Sequence, residues 1–349
     1  MEGATLLLTS ANAQLYGQWP MGGHDWHHTG RVDSIVAPSC TPASLKWSLT
    51  PPDGAKAITG VVIGDKVGDS GEELYEYDVF FGADDGKLYC WRIDYDAGSG
   101  SFAPLGSPRW ATDLRSSPND PMTLASGTAV LAKARYGLED IPVLYVCTRA
   151  GSGGTLALRL QCLRLSDGQR IWQSVNLANG ASSALTPPLY APYGQKSGSS
   201  WSGYRVYVAR DNGGGTLPGH MMAFSTHYAS GSDVEPRWVA PTSGRIVSQP
   251  AFNQFGVAEA PGAPPTTYWP AIYATTLDGK LEQWYDDPTY GATGPRWSMI
   301  PRRLPTRRTP VRRGQSRRPR TACTTGSTSP LASRPSTGRM SRTRAGCKR

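Results

Sequence analysis

Five tryptophans that recur at nearly constant spacing constrain the fold of this chain more than any other feature of its sequence. The intervals between them are 63, 62, 66 and 59 residues. Scattered aromatic residues do not produce four such similar intervals, so the chain is predicted to consist of repeated structural units. Each tryptophan closes a unit, and we expect its large ring to be buried between neighbouring units, a packing role. The five are Trp47, Trp110, Trp172, Trp238 and Trp297.

A seven-residue pattern, Asp-Gly-Lys-Leu-x-x-Trp, occurs at 85–91 and again at 278–284. An Asp-Gly pair is typical of a tight turn, because glycine adopts the positive φ that the turn demands. β-branched or aromatic residues precede each copy and the residues after it alternate, so each copy predicts a strand, a turn and a second strand. The two copies lie three repeats apart.

Each interval holds the same parts in the same order: an apolar stretch, a strand, a Gly-rich turn, a second strand and the closing tryptophan. Such a unit offers three or four short antiparallel strands and cannot bury both of its faces alone. Units stacked radially can, which predicts an all-β fold, a β-propeller of four-stranded antiparallel blades. About four to five blades are present, an incomplete ring. Long Gly-, Pro- and Ser-rich loops, such as 191–203 and 253–267, are where binding usually resides.

Basic charge is confined to the C-terminal segment. The net charge of +9 points at first to a nucleic-acid partner, but residues 301–349 carry +15 and no acidic residue, which leaves −6 for residues 1–300. Three interpretations stay open: a basic arm for nucleic acid or an anionic surface, a disordered linker, or an out-of-frame translation of a GC-rich gene. The change falls where another blade is due. This favours an out-of-frame, disordered tail and a truncated ring over a nucleic-acid partner.

The first sixteen residues allow two interpretations. A short apolar run ends in Ala11-Asn12-Ala13, a small-x-small cleavage pattern, but a positively charged start is missing. Residues 1–16 are therefore interpreted either as the remnant of an export signal or as a disordered N-terminus. The first interpretation predicts a periplasmic or extracellular protein. No stretch approaches 18 consecutive apolar residues, so no membrane-spanning helix is expected.

Three segments resemble the pyrroloquinoline-quinone-type, or quinoprotein-like, β-propeller repeat family. "WPMGGHDWHHTG" (19–30) is similar to the segment that precedes the first blade in that family, and "GADDGKLYCW" (82–91) and "LRLSDGQRIW" (163–172) match its blade signature. The resemblance covers residues 17–300 and implies the propeller fold. It is weak for function, because the family includes quinone-dependent dehydrogenases, a lipoprotein scaffold for outer-membrane assembly and non-enzymatic binders.

The resemblance leaves two functions to weigh. Dehydrogenases of the family hold the quinone in a central funnel, often beside an adjacent Cys-Cys pair and a calcium site of Glu, Asn and Asp. This chain has no Cys-Cys pair, and no calcium ligand can be carried over residue by residue. We therefore predict an exported binding or scaffold module without an identifiable catalytic group, whose loops bind a protein or a small molecule. The alternative is the N-terminal part of a quinone-dependent alcohol or sugar dehydrogenase, with pyrroloquinoline quinone and Ca2+.

One short segment concentrates potential metal ligands: His24, Asp25, His27 and His28. Neutral imidazole is a good ligand for transition metal ions. Neighbouring histidines on an extended strand point to opposite faces, however, and the same residues belong to the segment that the family places before its first blade. The second interpretation is favoured, and no metal site is predicted.

Cys147 and Cys162 flank a Gly-rich segment, "TRAGSGGTLALRLQ". A hairpin centred near Gly154-Thr155 would place the two cysteines opposite each other. A disulfide at that place would fit an exported protein, and two buried free thiols are the other interpretation.

Overall fold

In the part of the chain that the structure describes, all of the regular structure is β-structure, with the exception of two single 3-10 turns, Pro52–Gly54 and Gly153–Thr155. The prediction of an all-β fold is confirmed. The computed structural model describes residues 48–65, 76–96, 101–115, 117–136, 139–180, 183–193, 203–213, 218–228, 233–246, 248–259, 268–286 and 297–299. Within these ranges, no helix has the length and apolar character needed to cross a membrane.

Four antiparallel sheets follow one another along the chain. The strands of sheet 1 are β1 (Val62–Asp65), β2 (Glu76–Gly82), β3 (Lys87–Asp96), β4 (Ser101–Pro104) and β5 (Trp110–Asp113). The strands of sheet 2 are β6 (Thr123–Ala125), β7 (Val130–Tyr136), β8 (Glu139–Ala150), β9 (Ala157–Arg164) and β10 (Arg170–Gln173). Sheet 3 contains β11 (Ala184–Leu185), β12 (Leu189–Tyr193), β13 (Gly203–Asp211), β14 (His220–Ser225) and β16 (Trp238–Pro241). Sheet 4 contains β17 (Ala251–Glu259), β18 (Tyr268–Thr275), β19 (Leu281–Tyr285) and β20 (Trp297–Met299).

The same up-and-down meander of four strands forms the centre of each sheet. In sheet 1 it is β1-β2-β3-β5, in sheet 2 β7-β8-β9-β10, in sheet 3 β12-β13-β14-β16 and in sheet 4 β17-β18-β19-β20. The short strand β15 (His227–Tyr228) follows β14 of sheet 3 along the chain, but it pairs in parallel with β7 of sheet 2. Sheets 2 and 3 are thereby linked by the backbone as well as by side chains.

One row of directly opposed residues recurs across the four sheets. It has an aliphatic residue on the first strand of the meander, an aromatic residue on the second and a tryptophan on the fourth. The third strand contributes a small residue in sheets 1 to 3 and a glutamine in sheet 4. The rows are Val62-Phe80-Cys90-Trp110, Val130-Tyr145-Cys162-Trp172, Leu189-Tyr207-Ala223-Trp238 and Ala251-Tyr273-Gln283-Trp297.

The row of one sheet is buried against the sheet that follows. In the first three sheets the aromatic ring and the tryptophan ring lie 5.8, 5.7 and 6.2 Å apart, within the range of favourable ring pairs. Trp110 shares an apolar core with Leu144 and Leu163 of sheet 2. A second core runs without interruption through sheets 2, 3 and 4. Burial between consecutive sheets therefore supplies the apolar area that no single sheet can bury.

The tryptophan of one sheet also contacts the turn after the third strand of the next. Trp110 Nε1 donates a hydrogen bond to the Leu165 carbonyl, at 3.1 Å. Gly168, in the same turn, has φ +71°, and a Cβ built on it would lie 2.6 Å from Cε3 of Trp110. The Ser-Asp-Gly sequence at this turn thus has a physical reason, because only glycine leaves room for the preceding tryptophan.

The two Asp-Gly copies form matching turns, as predicted. Gly86 and Gly279 both have φ +81°. The N–H of Gly86 donates to the Ala83 carbonyl at 3.2 Å, and that of Gly279 donates to the Thr276 carbonyl at 2.9 Å. Each turn connects two paired antiparallel strands.

Of the two interpretations of Cys147 and Cys162, the structure has the second, in which both thiols are free and buried and no disulfide joins them. Cys147 lies opposite Leu160, and Cys162 lies opposite Tyr145. The hairpin is centred about one residue earlier than the sequence suggested, and this shift moves each partner by two positions. The two cysteines become diagonal neighbours, whose usual separation of about 7–8 Å exceeds the reach of a disulfide.

Candidate functional site

The strand order brings the turn between the second and third strands and the connection from the preceding sheet to the same end of each sheet. Because neighbouring strands alternate in direction, the turn between the second and third strands lies at the end where the connection from the preceding sheet arrives. We call this the hairpin end. Its turns follow β2, β8, β13 and β18, and its connections follow β5, β10 and β16.

Basic residues occupy one equivalent position at the start of the third strand in all four sheets: Lys87, Arg159, His220 and Lys280. Three of them are paired with carboxylates. Lys87 lies 3.6 Å from Asp85, Arg159 3.2 Å from Asp233, and Lys280 2.8 Å from Asp278. This end of the molecule is therefore rich in charge but largely balanced in sign.

His220 differs from the other three because its partner is a cation. Arg210 Nη2 lies 2.9 Å from His220 Nδ1, so Nδ1 accepts the hydrogen bond and the ring is neutral. Burial and the nearby Arg210 charge lower the pKa of His220 below its ordinary value. Burial also lowers the pKa of Arg210.

Side chains of each following sheet hold the arriving connection in place. Gln161 Nε2 donates to the Leu114 carbonyl at 2.7 Å, and Arg210 Nη1 donates to the Leu177 carbonyl at 2.9 Å. Glu282 Oε1 accepts from the Ser243 N–H at 3.0 Å and from the Ser243 hydroxyl. These bonds fix the connections to the sheets, which makes the hairpin end a preorganised surface.

A cavity of about 170 Å³ opens at the hairpin end of sheet 2. It lies between the connection from sheet 1 and strands β8 and β9, where Thr148 is much smaller than Arg210, its counterpart in sheet 3. Pro121, Ala150 and Ala157 complete a lining that is otherwise polar. The polar residues are Asp120, Thr123, Thr148, Thr155, Arg159 and Gln161.

Gln161 is one residue of this lining, and its amide oxygen is enclosed by the protein. The residue is 1 % exposed. Its Nε2 is committed to the Leu114 carbonyl, which fixes the amide orientation, and its Oε1 is buried without a hydrogen-bond partner. Buried amide oxygens without a partner are rare and energetically costly.

A second polar cluster lies between sheets 3 and 4. Asp286 is fully buried and accepts hydrogen bonds from Tyr207 Oη at 2.8 Å, from Trp238 Nε1 at 2.9 Å and from Arg205. Burial raises the pKa of Asp286, while the Arg205 charge opposes that shift. Burial and the adjacent carboxylate raise the pKa of Tyr207 well above its ordinary value. Because Asp286 has no exposed surface, we interpret the cluster as a structural contact that holds sheets 3 and 4 together.

The structure describes some of the residues singled out in the sequence but not others. Trp110, Trp172 and Trp238 are buried where consecutive sheets pack against each other, and we call each such contact a seam. The backbone of Trp297 lies in β20. The described residues all belong to one compact unit. The described ranges contain no group of three His, Cys, Asp or Glu side chains arranged to hold a metal ion. Outside them lie residues 1–16 and 301–349, together with Trp47, His24, Asp25, His27 and His28.

Sequence reasoning missed the buried polar residues of the third strands. Gln161 and Glu282 lie within apolar strands, and alternation alone gives no reason to expect them to be buried. A signal was nevertheless present. Once the units are aligned on the Asp-Gly turns and tryptophans, both residues fall at the same position, together with Tyr89 and Met222.

In comparisons with known proteins, no family model and no curated protein matches this sequence. The resemblance to the quinoprotein-like family therefore depends on the sequence motifs and the repeat alone.

Proposed function

We propose that the four sheets are consecutive blades of a quinoprotein-like β-propeller and that the chain is a binding or scaffold module that acts through its hairpin end. The observation that carries the fold proposal is the recurrent four-residue row, buried in three successive sheets against the next sheet. A propeller is the architecture in which identical small sheets each bury two faces against their neighbours.

The hairpin end supports a binding role because it combines a rigid frame with varied side chains. Connections fixed by Gln161, Arg210 and Glu282 lose little freedom on binding, so an incoming partner meets a small ordering penalty. The turns of sheets 1 and 4 share the Asp-Gly-Lys sequence, whereas the turns of sheets 2 and 3 differ from it and from each other. Loops held by an invariant scaffold are the usual place for recognition in such folds.

The alternative, a quinone-dependent dehydrogenase, would need carboxylate and amide oxygens around a calcium ion beside the quinone. No described residue is assigned to such a site, so we derive no catalytic step through the quinone.

Reconstitution separates the binding module from a dehydrogenase. The 349-residue chain is incubated with pyrroloquinoline quinone and Ca2+, and dye reduction is followed with alcohols and aldoses as substrates. A binding module gives no rate above the protein-free control. Substrate-dependent dye reduction that requires both additions would overturn the proposal.

The binding surface is tested with two matched charge reversals. Lys280→Glu changes a basic residue that pairs with Asp278 in a hairpin-end turn, and Arg164→Glu changes one that pairs with Asp167 in a turn at the opposite end. Binding of an immobilised chain to a panel of peptides and small-molecule fragments is measured by surface plasmon resonance. Ligands should lose affinity for the first variant and keep it for the second. Equal loss in both, or loss in the second alone, would contradict a hairpin-end site.

Export is part of the same proposal. The remnant of a signal at residues 1–16 predicts that the natural protein is found in the periplasm or the medium. Cell fractionation followed by N-terminal sequencing tests this directly, and a protein confined to the cytosol with an uncleaved N-terminus would contradict it.

A further inference from the structure

Two Asn-Gly pairs are neighbours at the hairpin end of sheet 3. Asn179-Gly180 belongs to the connection that follows β10, and Asn212-Gly213 belongs to the turn that follows β13. A Cβ built on Gly180 would lie 4.0 Å from the backbone carbonyl oxygen of Asn212. Because the two pairs are so close, a difference in their chemistry has to come from exposure and hydrogen bonding.

An Asn-Gly pair can react with itself when its atoms are free to meet. The side-chain amide carbon of asparagine is electrophilic, and glycine has no side chain to block the approach of its backbone nitrogen. A hydrogen bond from that backbone N–H holds the nitrogen in place, and burial keeps out the water that the reaction consumes. Exposure and hydrogen bonding therefore decide how reactive each pair is.

Asn179-Gly180 is the free pair. Both residues are exposed, and in the part of the chain that the structure describes neither the Asn179 side-chain amide nor the Gly180 N–H makes a hydrogen bond. The turn is held instead by Ser183, whose hydroxyl accepts the Asn179 backbone N–H at 3.1 Å and donates to the Gly180 carbonyl at 3.1 Å. These bonds leave both reacting groups accessible to water.

Asn212-Gly213 is the protected pair. Asn212 is 7 % exposed, and its Nδ2 donates to the Pro218 carbonyl. The Gly213 N–H donates to Asp211 Oδ1 at 2.9 Å, and Arg245 holds the same carboxylate in place. Both reacting groups of this pair are therefore bound within the fold.

We propose that Asn179 is a modification site, at which the side-chain amide is converted without an enzyme into a carboxylate. The Gly180 nitrogen forms a bond to Asn179 Cγ, the Cγ–Nδ2 bond breaks, and ammonia leaves with the proton from the Gly180 nitrogen. Water then opens the resulting ring. Cleavage between the nitrogen and Cγ gives aspartate, and cleavage between the nitrogen and the Asn179 carbonyl carbon gives isoaspartate. Water is the one co-reactant, and neither an oxidant nor a reductant is needed.

The modification changes the hairpin end in two ways. Either product adds a carboxylate to the connection that Arg210 binds through the Leu177 carbonyl, and with an ordinary Asp pKa of about 3.9 this group is charged at neutral pH. Isoaspartate also inserts a methylene into the backbone between Asn179 and Gly180, which lengthens the path between the two groups that Ser183 binds. This surface therefore becomes more acidic as the protein ages in solution.

Mass spectrometry of the full chain tests the proposal. The protein is incubated at mildly alkaline pH in water enriched in heavy oxygen, which labels each carboxylate formed during the incubation. Trypsin separates the two pairs, because Lys196, Arg205 and Arg210 lie between them. In the native chain Asn179 should react at least about tenfold faster than Asn212, whose reaction must first break two hydrogen bonds. In urea the two rates should become similar.

Two results would overturn the proposal: equal rates in the native chain, or no reaction at Asn179 until urea is added. Asn179→Gln is the control for the position of the label, because the longer side chain forms its ring far more slowly. This variant should show no label in the first peptide and an unchanged rate at Asn212. A label that persists would place the reaction at Asn176, in the same peptide, and would also overturn the proposal.

Asp211→Ala tests the reason for the protection of Asn212. It frees the Gly213 N–H and should accelerate the reaction at Asn212 about tenfold, since one hydrogen bond to a charged group is lost. The rate at Asn179 should stay the same, which shows that the variant is folded. An unchanged rate at Asn212 would show that hydrogen bonding does not govern these pairs and would contradict the proposal. The reaction at Asn179 does not depend on the binding role proposed above, so each can fail alone.

Discussion

The seam between sheets 1 and 2 and the seam between sheets 3 and 4 use the same tryptophan position with different acceptors. Trp110 donates to a backbone carbonyl, that of Leu165. Trp238 donates to a carboxylate, Asp286, which also binds Arg205 and Tyr207. Leu165 and Asp286 each directly follow the last residue of the third strand in the next sheet. The positions of the tryptophan and of its acceptor residue are therefore the same in both seams, but the acceptor is a backbone carbonyl in one and a carboxylate in the other.

This difference predicts which substitutions destabilise each seam. A backbone acceptor survives any side-chain substitution, so the first seam depends on close packing around Trp110. A buried carboxylate that binds three donors makes the last seam depend on charge, since removal of one partner leaves another buried and uncompensated. The following predictions test this contrast in order of decreasing effect.

Asp286→Ala should give the largest loss. It leaves the Arg205 guanidinium buried without its counter-charge, and loss of one partner from a buried ion pair lowers the free energy of unfolding by about 3–5 kcal/mol. Urea denaturation followed by tryptophan fluorescence measures the change. The control is Asp278→Ala in the turn before β19, where the carboxylate is exposed and interacts with Lys280 and the Thr276 hydroxyl. A loss equal in the two variants would show that burial of the ion pair has no special weight.

Gly168→Ala should be the most damaging change at the first seam. The new Cβ would crowd Trp110 at 2.6 Å and would require a positive φ, and the two effects together cost about 3 kcal/mol. The matched control is Gly154→Ala, since a Cβ on Gly154 meets no atom within 4 Å. Similar midpoints in urea for both variants would contradict the close packing of this seam.

The reactivity of the buried cysteine thiols tests the packing of the seams without any substitution. Cys90 lies in the core between sheets 1 and 2, and Cys147 and Cys162 lie in the core that continues to sheet 4. Burial raises the pKa of all three thiols, so the reactive thiolate is scarce. We expect all three to resist iodoacetamide in the native protein and to react in urea, as quantified by peptide mass spectrometry. A Cys147–Cys162 disulfide in the unreduced sample would contradict the observed register.

Arg245→Met should have the smallest effect, and that effect should depend on pH. Partial burial alone would raise the pKa of Asp211, but hydrogen bonds from Arg245 and from the Gly213 N–H outweigh it and lower the pKa. A lowered carboxyl pKa stabilises the fold above the ordinary value and loses that contribution as pH falls through the folded value. The variant should therefore be less stable than the parent at pH 7, and the difference should shrink as the pH falls below the ordinary Asp pKa of about 3.9. A constant difference across this range would exclude the pair as its source.

The sequence was most informative where one residue type has one physical use. Trp110, Trp172 and Trp238 recur because each seam needs a large ring, and Gly86 and Gly279 recur because the turn requires a positive φ. Pairing within the β8–β9 hairpin was misjudged, because a 3-10 turn at Gly153–Thr155 moved its centre. The partners of Gln161 and Asp286 could not be predicted, since they come from other sheets and depend on how the sheets stack.

The coupling between Trp238 and Asp286 tests the central claim most directly, because these residues lie in successive sheets 48 positions apart. A double-mutant cycle with Trp238→Phe and Asp286→Ala measures their interaction free energy from urea unfolding. Sheets that pack consecutively through the tryptophan predict a favourable coupling of about 1.5–3 kcal/mol, as expected for a hydrogen bond to a charged group. Additive effects, with a coupling near zero, would contradict the proposed stacking.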